Sequence, residues 1–213
     1  MNIANESELD QFIKEYPEIN MLEILMPDMN GIVRCKRIPR GEFGTFFRHG
    51  VKGPASTTLL NVRGEFCDEV DFAGLEGDPD KLIHPIANTL APITWLKSDT
   101  AQVLATFTEL DGSAALFDSR NILIKALQPL KAMNLKPIVA TELEFYLLKN
   151  GEGNVPEPLL GKIPGTQIDQ PGTQYAMPED LWDNDAFLED VRKACEVQNV
   201  PMTTVHSEFS PGQ

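Results

Sequence analysis

The sequence has few cysteines and little positive charge. Cys35, Cys67 and Cys195 are scattered without a Cys-x-x-Cys pair, which argues against both a disulfide framework and a thiolate metal site. The 18 lysines and arginines face 32 aspartates and glutamates, so the formal net charge is −14. A surface of that sign repels phosphate backbones and anionic lipid headgroups. We therefore expect neither a nucleic-acid partner nor a membrane partner.

Long apolar runs are also missing. No stretch approaches the roughly 20 apolar residues that a membrane-spanning helix needs. The first residues, MNIANESELD, lack the basic and apolar regions of a signal peptide, so we expect a reducing, cytoplasmic compartment. With 42% hydrophobic and 23% charged residues among 213, the chain has an ordinary globular composition and room for one or two domains.

Residues 1–110 have the pattern of a small α+β domain. A short helical pattern with Ser7 as its cap ends at Pro17, and "GEFGTFFRHG" fits one or two further helical turns. Two apolar runs flank Asp28-Met29-Asn30-Gly31, and Asn-Gly between such runs predicts a β-hairpin. Further strands are predicted at 56–62, 89–96 and 101–110.

The pattern changes after Asp111-Gly112, where residues 111–213 predict helix–strand units of an α/β domain. Ser119 can cap a helix containing Pro129, and a second helix is predicted from Pro178 onward. Strands are predicted around TELEFYLL (141–148) and VPMTTVHSEFS (200–210). Residues 150–178 contain five glycines and five prolines without periodicity, which predicts a long loop.

Acidic side chains stand out in the two predicted strands. Glu142 and Glu144 alternate with apolar residues, so a strand would place them on one face about 7 Å apart, at roughly 3.3 Å per residue. Two carboxylates so close in a buried strand need a shared proton or a cation, and oxygen ligands favour Mg²⁺ or Mn²⁺. Glu208 is a third carboxylate, with His206 on the same face. The alternative is a half-exposed strand whose acids are solvated or paired with lysines.

Three ordered motifs resemble the glutamine synthetase family. They are an E-x-E-F strand (Glu142-Leu-Glu144-Phe145), the segment VHSEFSPGQ, which fits H-x-E-x-x-x-G-Q, and the hairpin DMNGIVRCKRIP. The hairpin is similar to that of the γ-glutamylpolyamine synthetase-like branch, which joins glutamate to amines. The resemblance implies an N-terminal β-grasp domain in residues 1–110 and the first part of the catalytic α/β domain in residues 111–213.

The resemblance also implies a reaction and its site. ATP would phosphorylate the γ-carboxylate of glutamate, and ammonia or a small amine would then displace phosphate, with Mg²⁺ or Mn²⁺ neutralising the transferring group. By motif position, Glu142 would bind the metal ion at the ATP phosphates. Glu144 and Glu208 would bind the metal ion beside the glutamate carboxylate and its acyl phosphate. Members of the family assemble in rings, with each active site between two subunits.

Two departures from the family pattern qualify these expectations. Further family ligands are expected after Gln213, so the chain looks C-terminally truncated and we expect these residues to be inactive by themselves. The stretch VKGPASTTLL lacks the aspartate that ammonia-using members carry, which favours an organic amine over free ammonium. A catalytically silent binding or scaffold relative is the alternative function, and a metal-dependent hydrolase that needs no ATP is a third.

Overall fold

The computed structural model of the chain describes residues 2–66, 77–151, 155–170 and 175–213. The chain divides into two compact units, Met1–Pro137 and Ile138–Gln213. The helices in the described part are α1 Glu6–Glu15, α2 Phe43–His49, α3 Ser119–Ala132, α4 Pro178–Asp183 and α5 Asp185–Val197. The strands there are β1 Met21–Pro27, β2 Val33–Pro39, β3 Val51–Pro54, β4 Asp80–Pro85, β5 Ala91–Pro92 and β6 Thr100–Thr108. The chain therefore has α+β character.

The first unit is built on one mixed sheet with the order β2-β1-β6-β4-β3, in which β5 also pairs with β6. β1 and β6 run parallel, whereas the other pairs are antiparallel. Lys36 on one edge strand donates from Nζ to the carbonyl oxygen of Lys52 on the other edge strand, at 2.5 Å. The sheet is therefore curled, because its two edges approach each other.

The core of this unit lies between the sheet and helices α1 and α2. Alternate residues of β1 are buried because successive strand side chains point to opposite faces. They pack in one cluster with the aromatic residues of α2 and with β6. The main members are Leu22, Ile24, Met26, Phe43, Phe46, Val103 and Phe107.

The Asn-Gly hairpin is confirmed, with Asp28 as its anchor. β1 and β2 pair from Met21 with Pro39 to Pro27 with Val33. The buried Asp28 carboxylate accepts from the backbone N–H groups of Asn30 and Ile32 and from the Arg34 guanidinium at 2.8 Å. Burial by itself would raise the pKa of Asp28, but these donors and the Arg34 charge outweigh it and lower the pKa.

Two helix caps differ from the predicted residues. α1 is capped by Asn5, whose side chain accepts from the N–H of Glu8, and not by Ser7. α3 is capped by Asp118, and Ser119 is its first helical residue. In both cases the acceptor sits on the last extended residue before the helix, which is where a side chain can reach the unpaired N–H groups of the first turn.

Local strand propensity was misleading at two places in the first unit. Residues 56–62 form no strand: Ala55–Leu59 is a short 3-10 turn. Its Ser56 is held by the Asp78 carboxylate, and its Thr58 hydroxyl donates to the carbonyl of Phe117. Of the predicted strand 89–96, only Ala91–Pro92 pairs with β6. In the first segment side-chain hydrogen bonds hold the chain in a turn, and in the second Pro92 lacks the N–H that a strand ladder needs. The predicted strand 101–110 is confirmed as β6.

The two predicted strands of the second unit do not form. Residues 138–147 and 200–208 belong to no ladder, and the bridges among the described residues here are isolated ones, Leu148 with Pro158 and Lys162 with Asp169. Leu143 is 85% exposed and Ile138 is 95% exposed. The expectation of a buried strand was wrong for these residues because a strand is stabilised by a neighbouring strand, and the described residues of this unit supply none.

The helical and loop predictions of the second unit fare better. The helix expected from Pro178 is present but is interrupted at Asn184, which separates α4 from α5. The described parts of 150–178 contain neither helix nor extended strand ladder before Pro178, as expected for a loop. Within it, Ile163 and Ile168 are bonded across a turn at Pro164-Gly165. Across the described chain, no helix is long and apolar enough to cross a membrane.

Candidate functional site

The structure brings two distant motifs of the second unit into contact. The Gln213 side chain donates from Nε2 to Oε2 of Glu144 at 2.8 Å. The N–H of Leu147 donates to the carbonyl oxygen of Gly212 at 2.6 Å, and the N–H of Glu208 donates to the carbonyl oxygen of Gln213 at 3.1 Å. We call this contact between residues 144–147 and 208–213 the motif junction. Two of the three predicted site carboxylates, those of Glu144 and Glu208, thus belong to residues bonded to one glutamine.

Gly212 allows the two segments of the motif junction to approach. Its φ is +79°, a conformation that other residues rarely adopt. A Cβ at this position would lie 2.7 Å from the Leu147 carbonyl oxygen and 3.0 Å from that of Leu159. Both are backbone atoms that cannot rotate away, so only glycine fits here without moving the chain.

Glu208 is paired with His206, which in turn contacts an aromatic ring. Its carboxylate lies 2.9 Å from Nε2 of His206, which is also 3.2 Å from the Tyr175 hydroxyl. The Tyr175 ring stacks on Phe209 with centroids 4.8 Å apart and an interplanar angle of 18°. His206 therefore links the Glu208 carboxylate to the Tyr175–Phe209 pair.

Asp180 and Ser207 support the segment that carries His206 and Glu208. Ser207 is buried, and its Oγ accepts from the N–H of Met177 at 3.1 Å. Burial raises the pKa of the Asp180 carboxyl, and the charges of Asp183 and Glu179 act in the same direction, whereas Ser207 opposes them. Neither residue was singled out in the sequence, because Ser207 occupies a variable position of the H-x-E-x-x-x-G-Q motif and Asp180 lies outside the three motifs.

Glu142 takes no part in the hydrogen bonds of the motif junction that the structure describes. Its side chain is exposed and makes no hydrogen bond or ion pair within the described residues. Its predicted role at the ATP phosphates therefore stays a prediction. The same holds for Glu144 and Glu208 as metal ligands, although the structure does bring these two to the motif junction.

The donor chemistry suits a hard divalent cation. Carboxylate oxygens are the ligands preferred by Mg²⁺ and Mn²⁺, and Glu144 carries no cationic side-chain partner within the described residues. No group of three or more His, Cys, Asp and Glu side chains gathers closely enough to hold a metal ion in the parts of the chain that the structure describes. The fit therefore concerns the type of ligand alone.

Comparisons with known proteins agree with the motifs. Residues 116–213 match the family described as "Glutamine synthetase, catalytic domain". The γ-glutamylputrescine synthetase PuuA of Escherichia coli K12 is 30% identical over 218 residues, which cover 99% of this chain and 44% of the relative. The glutamate–isopropylamine ligase of a Pseudomonas species is 26% identical, over 95% of this chain and 43% of the relative.

The fold agrees with a solved structure. GmaS in complex with ADP superposes with a TM-score of 0.66 at 14% identity, over 96% of this chain and 42% of that chain. Residues 116–213 belong to the glutamine synthetase family, and the whole chain is similar to the relatives named above. Within that family it is similar to the glutamate–amine ligases named above, as the hairpin motif predicted. It spans less than half the length of these relatives.

Proposed function

We propose that this chain is part of an ATP-dependent ligase that joins the γ-carboxylate of glutamate to an amine or to ammonia. The observation that carries the proposal is the motif junction, where the side chain of Gln213 meets Glu144 and its carbonyl meets Glu208. The names of the relatives support the same reaction class. The proposal includes a β-grasp domain in residues 1–110 and the first part of the catalytic domain in residues 111–213.

The reaction would proceed in two steps, phosphorylation of the carboxylate and displacement of phosphate by the amine. The glutamate γ-carboxylate attacks the terminal phosphorus of ATP, which forms γ-glutamyl phosphate and releases ADP. The neutral amine then attacks the acyl carbon, phosphate leaves, and the nitrogen loses a proton. When bound, Mg²⁺ or Mn²⁺ would neutralise the charge that develops on the transferring phosphoryl group. Glu142 is proposed to hold the metal ion nearest the ATP phosphates, and Glu144 and Glu208 the one beside the glutamate substrate.

An organic amine is the proposed acceptor. The stretch VKGPASTTLL, which forms β3 and the 3-10 turn after it, has no aspartate. The names of two relatives include putrescine and isopropylamine. His206 links the Glu208 carboxylate to the Tyr175 ring, which stacks on Phe209, and an alkylammonium ion bound at this segment would meet an aromatic ring and a negative charge.

The test is phosphate release by the full-length gene product with glutamate, ATP, Mg²⁺ or Mn²⁺, and a panel of amines that includes ammonia. We expect release with at least one organic amine, and a loss on the order of 100-fold in Glu144→Gln and Glu208→Gln. Asp190→Asn, on the exposed surface of α5, is the matched control and should retain full activity. A full-length protein that releases no phosphate with any acceptor while binding ATP would be a silent scaffold relative instead.

Assembly is a second part of the proposal. The full-length protein is expected to form rings, as other members of its family do. Light scattering after size-exclusion chromatography measures the molar mass directly. A strictly monomeric full-length protein with amine-dependent ligase activity would contradict the ring assembly without contradicting the reaction.

A further inference from the structure

The turn of the Asn-Gly hairpin holds a second segment of the first unit, residues 58–61. The N–H of Met29 donates to the carbonyl oxygen of Thr58 at 3.0 Å. The Asn30 side chain donates from Nδ2 to the carbonyl oxygen of Leu60 at 2.6 Å, although the two residues lie 30 positions apart in the chain. We call these two contacts, together with the contact between Arg34 and Asn61, the hairpin brace.

Asp28 and Arg34 make the hairpin brace rigid. The buried Asp28 carboxylate accepts from the N–H groups of Asn30 and Ile32 and from Nη2 of Arg34 at 2.8 Å. The same Nη2 lies 3.5 Å from the carbonyl oxygen of Asn61. Hydrogen bonds between ionised groups are stronger than neutral ones. The buried ion pair therefore fixes both the turn and the direction in which the guanidinium points.

The hairpin brace gives the fixed residues of the D-x-N-G-x-x-R pattern separate tasks. Asp28 anchors the turn, and Gly31 adopts the φ of +78° with which the chain turns back. Asn30 and Arg34 reach residues 58–61. A hairpin that only connected β1 to β2 would need the first pair of residues but not the second. The second pair therefore points to a role for the segment that they hold.

The braced segment carries apolar side chains at the surface. Leu59 and Leu60 are half-buried, and Val62, directly after the segment, is 72% exposed. The hairpin brace contacts backbone oxygens, so it fixes the path of the chain on which these side chains stand. Apolar side chains line most sites for small organic molecules, and a fixed backbone would present them to the alkyl part of an amine in one geometry.

We propose that the hairpin brace positions residues 58–61 for selection of the acceptor amine, with Asn30 as a positioning residue that determines specificity. The inference rests on the proposed function, in which the stretch VKGPASTTLL favours an organic amine over ammonium. It adds that the hairpin, and not the stretch alone, determines how tightly the amine is bound. The residues that bind glutamate and ATP are not part of the hairpin brace.

The experiment measures KM for the amine, glutamate and ATP in the full-length protein and in Asn30→Asp. This substitution keeps the size of the side chain and its preference for turns, but it replaces the donor with an oxygen that can only accept. We expect KM for the organic amine to rise on the order of 10-fold, because the segment is displaced. KM for glutamate and KM for ATP should stay unchanged. Asn30→Ala, which removes the donor without adding charge, should give the same result.

Asn20→Asp is the matched control. Asn20 is also exposed, and its Nδ2 donates to the carbonyl oxygen of Glu18 at 2.7 Å, away from the hairpin brace. All three KM values should match those of the parent protein. The thermal unfolding midpoints of Asn30→Asp and Asn30→Ala should also match the parent, since Asn30 is exposed. A lowered midpoint in both variants, or a parallel rise of all three KM values, would make Asn30 a structural residue and overturn the proposal.

Failure of this inference differs from failure of the ligase proposal. Amine-dependent phosphate release with an unchanged KM for the amine in both Asn30 variants would reject the role of the hairpin brace and keep the reaction. A full-length protein that releases no phosphate with any acceptor would reject the reaction and the selection of an amine together.

Discussion

Truncation of Asp118 to alanine is expected to lower the free energy of unfolding more than truncation of any other residue that joins β6 to α3. One carboxylate oxygen accepts from the N–H groups of Arg120 and Asn121 at 2.8 and 3.2 Å, which caps α3. The other accepts from the Thr106 hydroxyl at 2.9 Å and from the Phe107 N–H at 2.6 Å. The side chain is 5% exposed, so water does not readily replace it.

The size of the effect of Asp118→Ala follows from these four bonds. Loss of a helix cap costs about 1 kcal/mol. Each buried donor left without an acceptor costs at least ~1 kcal/mol, and Thr106 and Phe107 contribute two of them. The free energy of unfolding should therefore fall by at least ~3 kcal/mol, compared with about 1 kcal/mol for Asn5→Ala, which removes an exposed cap with one bond.

Urea unfolding of the first unit, with hydrogen exchange of the β6 amides, measures both values. Thr106→Val adds a decisive comparison, because it removes one of the stranded donors. In the Thr106→Val background, Asp118→Ala should cost about 1 kcal/mol less than in the parent chain. Equal costs for Asn5→Ala and Asp118→Ala, or strict additivity with Thr106→Val, would refute the reasoning.

Three further predictions test other parts of the chain. Gly165→Ala and Gly212→Ala both impose a side chain at positive φ, +74° and +79°, but no atom lies within 4 Å of the Cβ position at Gly165. Gly165→Ala should therefore cost about 1 kcal/mol of unfolding free energy, whereas Gly212→Ala should also abolish hydrogen-exchange protection of the Leu147 amide. Equal behaviour of the two variants would contradict the close packing at Gly212. Burial lowers the pKa of His84 below its usual 6.5, so the folded state binds the His84 proton less tightly than the unfolded state does. The free energy of unfolding should therefore be full above pH 6.5 and decline as the pH falls through the lowered pKa. Urea unfolding should show that this decline is absent in His84→Gln and retained in His49→Gln. The hydrogen bond from Arg192, together with the charges of Arg192 and Lys193, lowers the pKa of Glu189 to about 2. The helical chemical shifts of α5 should therefore hold above pH 4.5 and weaken as the pH falls from 4.5 through about 2. A Glu189→Gln variant with the same response to acid would exclude the Glu189–Arg192 pair as the cause.

Features that depend on neighbouring residues could be predicted well. The Asn-Gly hairpin, the short helix α2 and the long strand β6 follow from turn chemistry and apolar periodicity over a few residues. The cap residues are Asn5 and Asp118, where Ser7 and Ser119 were predicted, because several polar residues lie near the start of each helix. Only the backbone conformation of the preceding residue decides which one can reach the free N–H groups.

The candidate site divides in the same way. Glu142, Glu144 and Glu208 were identifiable because their motifs have fixed spacing, and family membership is confirmed on the same residues. Tyr175 and Asp180 were not, since each acts through contacts with residues about 30 positions away. Periodicity also predicted strands at 141–148 and 200–210 that do not form, because a strand depends on a partner that no local pattern reveals.

By itself the sequence indicated the family, the candidate acidic residues and the local turns, because these depend on side-chain chemistry and short spacing. Tertiary structure decided that the Glu144 side chain and the Glu208 backbone both bond to Gln213, and that Gly212 must be glycine. The physical reason is that hydrogen bonds act over about 3 Å. Residues nearly 70 positions apart come within that distance only when the chain has folded.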